Sequence, residues 1–463
     1  MADAIHNLSA RELSLAYRTR QLSPVEATRA ALARLEVWEN RINAMYIRDA
    51  EGALMQAAAS EERWRRGAAL SPLDGVPITI KDNIATAGAP TPVGTAAGDF
   101  TPATTDAPPA ARIKEAGCVI LGKTTMPDYG MLSSGLSSLH GVTRNPWNLD
   151  RNSAGSSSGA GAAIVAGYGP MALGTDIGGS VRLPAASNGI FALKPSFGRI
   201  PIYPPYLGRV TGPMTRTVTD AAMLLHELAK PDARDYMSLP YEDRDWANLL
   251  SGDVAGKKLG LMLDIGAGLP VQPAVREAIE RAARAFEAVG AIVEPVGPVL
   301  DPSLLDAIDR FFAARLLADV RVLPAERQQK ILPFVLTWCR RAQTLSAVDA
   351  LRSFSEINRM REQAIAAIQG FDFLLTPTSP ITAYSATQAA PGDDPERPFM
   401  HIAFTVAFNM SEQPAASLCA GYDHDGLPIG LQIVGHRFDD LGVLRLARAY
   451  EDLRPDLRPW PEP

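Results

Sequence analysis

Val275, Ile279, Ala282, Phe286 and Val289 recur at steps of four, three, four and three along the chain. That spacing lines one face of a helix, and Gly290 follows where a left-handed cap would end it. Elsewhere the pattern changes to short apolar runs bounded by Gly, Pro or Asp, which predict buried strands over 76–80, 118–121, 259–263, 291–293, 371–375 and 431–434. Residues 110–116 read as a helix between the first two runs, so the rhythm is strand, helix, strand and the fold class is α/β. Ser9-Ala10-Arg11-Glu12 and Ser23-Pro24-Val25-Glu26 both match a capping box, the second with proline at the first helical position. Two helices therefore open an N-terminal helical region over about 8–65. Residues 160–166 are small enough for a tightly packed buried helix.

Composition narrows the class. Hydrophobic residues at 46% and charged residues at 21% suit a globular chain with ample core. Nothing divides the 463 residues into separate folding units, so a single domain over 1–463 is expected. Charge, proline and glycine gather at about 230–246 and at 386–398, which predicts exposed excursions there. A net charge of -6 without a Lys/Arg block argues against nucleic-acid or anionic-membrane partners. No run approaches the roughly 20 apolar residues of a membrane span. Residues 1–23 are charged rather than signal-like, so a cytoplasmic location is expected. Cys118, Cys339 and Cys419 are odd in number and widely spaced, which fits buried, reduced thiols rather than a disulfide framework or a zinc site. Neither a metal nor a cofactor is expected.

The segment Gly174-Thr175-Asp176-Ile177-Gly178-Gly179-Ser180-Val181-Arg182-Leu183-Pro184 puts a serine directly after two glycines. Glycine lets successive N–H groups converge, so Ile177, Gly178, Gly179 and Ser180 would form an oxyanion hole beside the Ser180 hydroxyl. Taken alone, such a turn is more often structural or phosphate-binding. Upstream, however, stand Gly155-Ser156-Ser157-Ser158-Gly159 and Gly75-Val76-Pro77-Ile78-Thr79-Ile80-Lys81-Asp82-Asn83. Together the three segments resemble the amidase signature family. Its pattern has a lysine after a Gly-Val-Pro strand, a serine in a cis peptide, and a nucleophile after Gly-Gly. Residues 192–199, 212–218, 375–378 and 426–435 are similar to further family signatures. Ala154 and Ser158 depart from it, standing where many members carry glycine.

The resemblance implies a large mixed central sheet flanked by helices on both faces. It implies hydrolysis of a carboxylic amide to a carboxylate plus ammonia or an amine. Ser180 would be the nucleophile, Ser156 the proton relay and Lys81 the base, with Ser157, Asp176 and Arg182 supporting the loops. By family position, residues 129–136, with Met131, Leu132 and Ser133, and residues 404–410 would wall the pocket. The partner is then a small-molecule amide, aryl or alkyl, and a homodimer is compatible with the reading.

Elementary chemistry makes the same demand. A serine hydroxyl needs a base within reach, and lysine serves only when its pKa falls from about 10.4 to near 7. The apolar run before Lys81 supplies burial, while the neighbouring Asp82 must point elsewhere. Three rivals stand beside this reading. Gly155-Ser156-Ser157-Ser158-Gly159 also fits G-x-S-x-G, which would make Ser157 the nucleophile of a Ser-His-Asp esterase. That motif needs a strand before Gly155, whereas 147–153 is polar and loop-like, and the six histidines, His140 nearest in sequence, have no motif-supported role. Gly159-Ala160-Gly161 hints at a dinucleotide site, but the third glycine position holds Ile164. Finally, relatives of this family act on glutamine inside tRNA-dependent amidotransferases. Pro204-Pro205-Tyr206-Leu207-Gly208-Arg209-Val210 departs from that subfamily.

Overall fold

Ser9 and Ser23 each accept a hydrogen bond from the backbone of the glutamate three residues on, and each glutamate reaches back to the serine's own N–H. These two caps start the helices Ala10–Arg18 and Pro24–Ile42. The structure, a computed structural model, describes residues 5–463. A third helix, Ala50–Arg65, is capped by Asp49. The strand β1, Met45–Arg48, interrupts the expected helical region. Four residues are too few for strand periodicity to show in sequence, and β1 is fixed by antiparallel pairing instead.

The other strands of the main sheet are β2 Pro77–Lys81, β3 Val119–Thr124, β4 Met171–Asp176, β5 Phe191–Lys194 and β6 Val210–Thr215. They continue as β7 Lys258–Leu261, β8 Ile292–Pro295, β9 Phe373–Pro377, β10 Ala415–Tyr422 and β11 Pro428–Val434. The eleven strands lie in the order β1-β3-β2-β4-β6-β5-β10-β11-β9-β7-β8. Parallel pairs occur toward both edges and antiparallel pairs in the middle, so the sheet is mixed. Its two chain halves meet where β5 pairs with β10, with Lys194 opposite Ala415.

Side chains alternate across a strand, and this sorts β2. Ile78 and Ile80 enter a core shared with the helices Val218–Leu228, Pro273–Ala288 and Asp440–Leu453. Burying each isoleucine contributes about 1.5–3 kcal/mol. Thr79 and Lys81 therefore face the other side, where the helix Ser158–Ala166 packs through Ala160, Ile164 and Val165 against Ala172. The glycines and alanines of that helix permit the approach: a Cβ on Gly159 would meet the Ala44 carbonyl oxygen and the Thr125 hydroxyl.

Two local expectations change. In the helix Pro273–Ala288 the buried face ends at Phe286, and Val289 is the exposed C-cap before Gly290, whose φ is 91°. Residues 147–153 are not a loop: Asn148–Asn152 is a strand paired with Arg144–Asn145 in a separate two-stranded ribbon. Its side chains are polar because the ribbon lies outside the main sheet, which hid it from a search for apolar runs. Residues 230–246 run mostly over the surface, with Asp235 and Trp246 turned inward. Ala386, Ala389 and Ala390 are buried, so the exposed part of 386–398 lies mostly at 392–397. Among the described residues no helix is long and apolar enough to cross a membrane, and no cluster of His, Cys, Asp and Glu could hold a metal ion.

Candidate active site

β2 and β4 are parallel neighbours, so their C-terminal ends open at the same edge of the sheet. β2 ends in Lys81, which is 0% exposed. β4 ends in Thr175 and Asp176 and runs through the glycine turn into the helix Arg182–Asn188. A third segment descends from the polar ribbon through the cis peptide Gly155-Ser156 into the helix Ser158–Ala166. These segments converge. Lys81 Nζ lies 2.8 Å from Ser156 Oγ and 3.0 Å from Thr175 Oγ1, which also accepts Asn83 Nδ2 at 3.0 Å. The Ser157 N–H donates to the Ser180 carbonyl at 3.2 Å, tying the two serine loops together. Thr175 and Asn83 stand inside the quoted motifs, but their residue types gave no reason to assign them roles.

Burial pushes the Lys81 ammonium down to about 7, against the opposing pull of Asp176 and then Asp82. The Asp82 carboxylate is turned away: it accepts the N–H groups of Val93 and Gly94 at 3.1 and 2.8 Å and lies 3.2 Å from His140 Nε2. Lys123 and Lys194 are also buried and pushed to about 7. Their amines contact main-chain carbonyls of Ile84 and Pro195, and Lys123 also the Thr86 hydroxyl. What distinguishes Lys81 is the serine hydroxyl at its tip.

A buried ion pair shapes the glycine turn. Arg182 grips both oxygens of Asp176 at 3.0 Å and also donates to Gln432 Oε1 at 2.7 Å and Asn409 Oδ1 at 2.5 Å. Burial alone would raise the Asp176 carboxyl, but Arg182, then Asn409 and Lys194, hold it well below the usual carboxylate range. Asp176 in turn accepts the N–H groups of Gly179 at 2.8 Å and Val181 at 3.1 Å. The Gly179 donor is therefore spent inside the turn, which narrows the expected oxyanion set to Ile177, Gly178 and Ser180. Thr405 Oγ1 donates to the Gly178 carbonyl at 2.7 Å. Residues 404–410 belong to the buried helix Ala403–Met410 that braces this turn, which corrects the expectation of a pocket wall there.

Ser180 opens into a narrow slot of about 30 Å³ lined by Met131, Leu132 and Ser133 and by Phe312, Phe399 and Ile402. The last three come from segments with no motif, so sequence could not mark them. A wider cavity of about 640 Å³ shares Met131 and Arg315 with the slot and reaches Asn83 and Thr175. Ser157 is fully buried, and its hydroxyl meets the Thr175 carbonyl at 3.4 Å rather than a histidine. His140 lies against Asp82, and His401 contacts Ser133. The strand before Gly155 thus exists, yet the esterase arrangement does not.

A family profile described as Amidase matches residues 26–444. A glutamyl-tRNA(Gln) amidotransferase subunit of Myxococcus xanthus is 35% identical over 481 residues, spanning 96% of this chain and 97% of that protein. An acylamidase of Rhodococcus erythropolis is 33% identical over 461 residues, spanning 97% and 96%. A bacterial aryl acylamidase superposes with a TM-score of 0.89 at 31% identity, covering 96% of each chain. The 6-aminohexanoate cyclic dimer hydrolase does so at 0.88 and 28% identity, covering 98% of each. With the mixed eleven-stranded sheet and a profile spanning all three serine and lysine segments, the chain belongs to the amidase signature family of amidohydrolases.

Proposed function

We propose that the chain hydrolyses a small aryl or alkyl amide through an acyl-enzyme on Ser180. The observation that carries this reading is the 2.8 Å contact between the buried Lys81 amine and Ser156, on a loop hydrogen-bonded to that of Ser180. Neutral Lys81 takes a proton from Ser156 as Ser156 takes one from Ser180, and the Ser180 oxygen attacks the amide carbonyl. The N–H groups of Ile177, Gly178 and Ser180 receive the negative oxygen of the tetrahedral intermediate. The proton returns through Ser156 to the nitrogen, the C–N bond breaks and the amine leaves. Water then attacks the ester by the same relay, releasing the carboxylate. The apolar slot beside Ser180 favours a compact hydrocarbon group next to the carbonyl. A cytoplasmic setting is part of the reading, supported by three buried cysteines, all free thiols. Release of ammonia or amine from a panel of amides, compared between wild type and Ser180→Ala, tests it; equal rates in the two proteins would falsify it.

The likeness to glutamyl-tRNA(Gln) amidotransferase subunits favours a second reading, in which the same serine hydrolyses glutamine for partner chains. Turnover of simple amides by the purified chain alone, with no co-purifying partner, decides for the free-standing enzyme. Glutaminase activity that appears only with partner chains decides for the amidotransferase role.

A further inference from the structure

Resting on the acyl-transfer reading, we propose that the wide cavity is a carboxylate subsite in which Arg209 and Arg315 select amides bearing an anionic group a few carbons from the scissile bond. Continuity comes first. Arg315 lines both the slot holding Ser180 and the 640 Å³ cavity, so a ligand whose carbonyl sits at Ser180 passes this guanidinium on its way outward. Arg209 lines the same cavity.

The two cations are organised but not neutralised. The Arg315 guanidinium lies 4.0 Å over the Tyr206 ring, and Arg209 lies 6.0 Å from the same ring while donating to the Pro204 carbonyl. Among the described residues neither forms a salt bridge. Burial, and next Arg315, push Arg209 down to about 10, so it remains charged at neutral pH. Two of the acidic groups nearby are otherwise engaged. Asp106 in the cavity wall holds Lys114 at 2.8 Å and the Ala87 N–H. Asp235 accepts the N–H groups of Ile202 and Met237. Asp319, four residues from Arg315, also lines the cavity but is exposed to solvent. A guanidinium held over a ring can offer its N–H fork to a carboxylate with little rotamer freedom left to lose.

The test uses two matched series of amides whose acyl or amine chain ends in a carboxylate, a carboxamide or an ammonium group. Wild type is expected to favour the carboxylate over the carboxamide by about 10- to 100-fold in kcat/KM in one of the series. The double variant Arg209→Gln/Arg315→Gln, checked for folding by its melting curve, is expected to lose that preference, and Arg315→Glu to shift it toward ammonium. Calorimetry with Ser180→Ala measures the same preference as a ratio of Kd without turnover. Equal kcat/KM and equal Kd for carboxylate and carboxamide in both series overturn the subsite, as does a preference that survives the double variant. Lost hydrolysis with the binding preference kept overturns only the acyl-transfer reading.

Discussion

The Nζ of Lys81 stands 2.8 Å from the Oγ of Ser156, and its other hydrogen-bond partners are the hydroxyl and carbonyl of Thr175, all uncharged. Nothing in direct contact pins a proton on this amine. Replacing it by a side chain of similar length without a base, Lys81→Met, is expected to lower kcat by about 10²- to 10⁴-fold. The fold should persist, because the change removes a buried polar group; steady-state kinetics with a thermal melt check both, and undiminished kcat would take the lysine out of the mechanism.

Activity should follow the neutral form of Lys81, so kcat/KM is expected to climb with pH and level off above about 7. The stability consequence has its own sign. Lys81, Lys123 and Lys194 all bind protons more weakly folded, at about 7, than at their ordinary 10.5. Between those values the unfolded chain holds more protons, so unfolding free energy rises with pH across that window. Lys123→Met should flatten this rise without moving the acidic limb of the rate profile. A shifted limb would assign the titration to the wrong lysine.

Intact-protein mass spectrometry during turnover of a poor amide should reveal an acyl adduct on wild type. Ser180→Ala should show none. Ser156→Ala should form it slowly, since its nucleophile loses the relay but not its place; an adduct on Ser180→Ala would transfer the nucleophile role elsewhere.

Gly179 has φ 121°, and a Cβ there would come within 2.4 Å of Thr405 Oγ1. Gly179→Ala is therefore expected to distort the donor turn and cut kcat/KM by about tenfold or more, with a lower melting temperature. Wild-type kinetics in this variant would show that the turn geometry is not needed.

Arg182→Met leaves the Asp176 carboxylate buried without its partner and should cost about 3–5 kcal/mol of stability. Adding Asp176→Asn should recover part of that loss. Denaturant titration of the single and double variants measures the difference, and additive losses would argue against coupling.

The motifs made the lysine and both serines legible because each combines a rare residue order with glycines whose backbone geometry is demanding, as at Gly179. The strand leading to Lys81 was legible for a different reason: Val76 to Ile80 is apolar but for Thr79, as suits a strand covered on both faces. By contrast, the resemblance implied a supporting role for Arg182 but not the partners through which it acts. Its meaning comes from Gln432 and Asn409, more than two hundred positions away. Phe312, Phe399 and Ile402 were hidden likewise, because an apolar residue facing a slot looks the same as one facing the core. The ribbon Asn148–Asn152 escaped because its pairing is held by backbone and amide side chains rather than by apolar burial.

The turn that carries Ser180 is braced by Thr405, Asn409 and Gln432, all contributed by the later half of the chain across the β5–β10 junction. During synthesis, Lys81, Ser156 and Ser180 leave the ribosome long before these braces exist. On the proposed mechanism, a nascent chain therefore holds every reactive group yet lacks the scaffold that orients them, and hydrolytic competence arrives as a late event, coincident with closure of the second half onto the first.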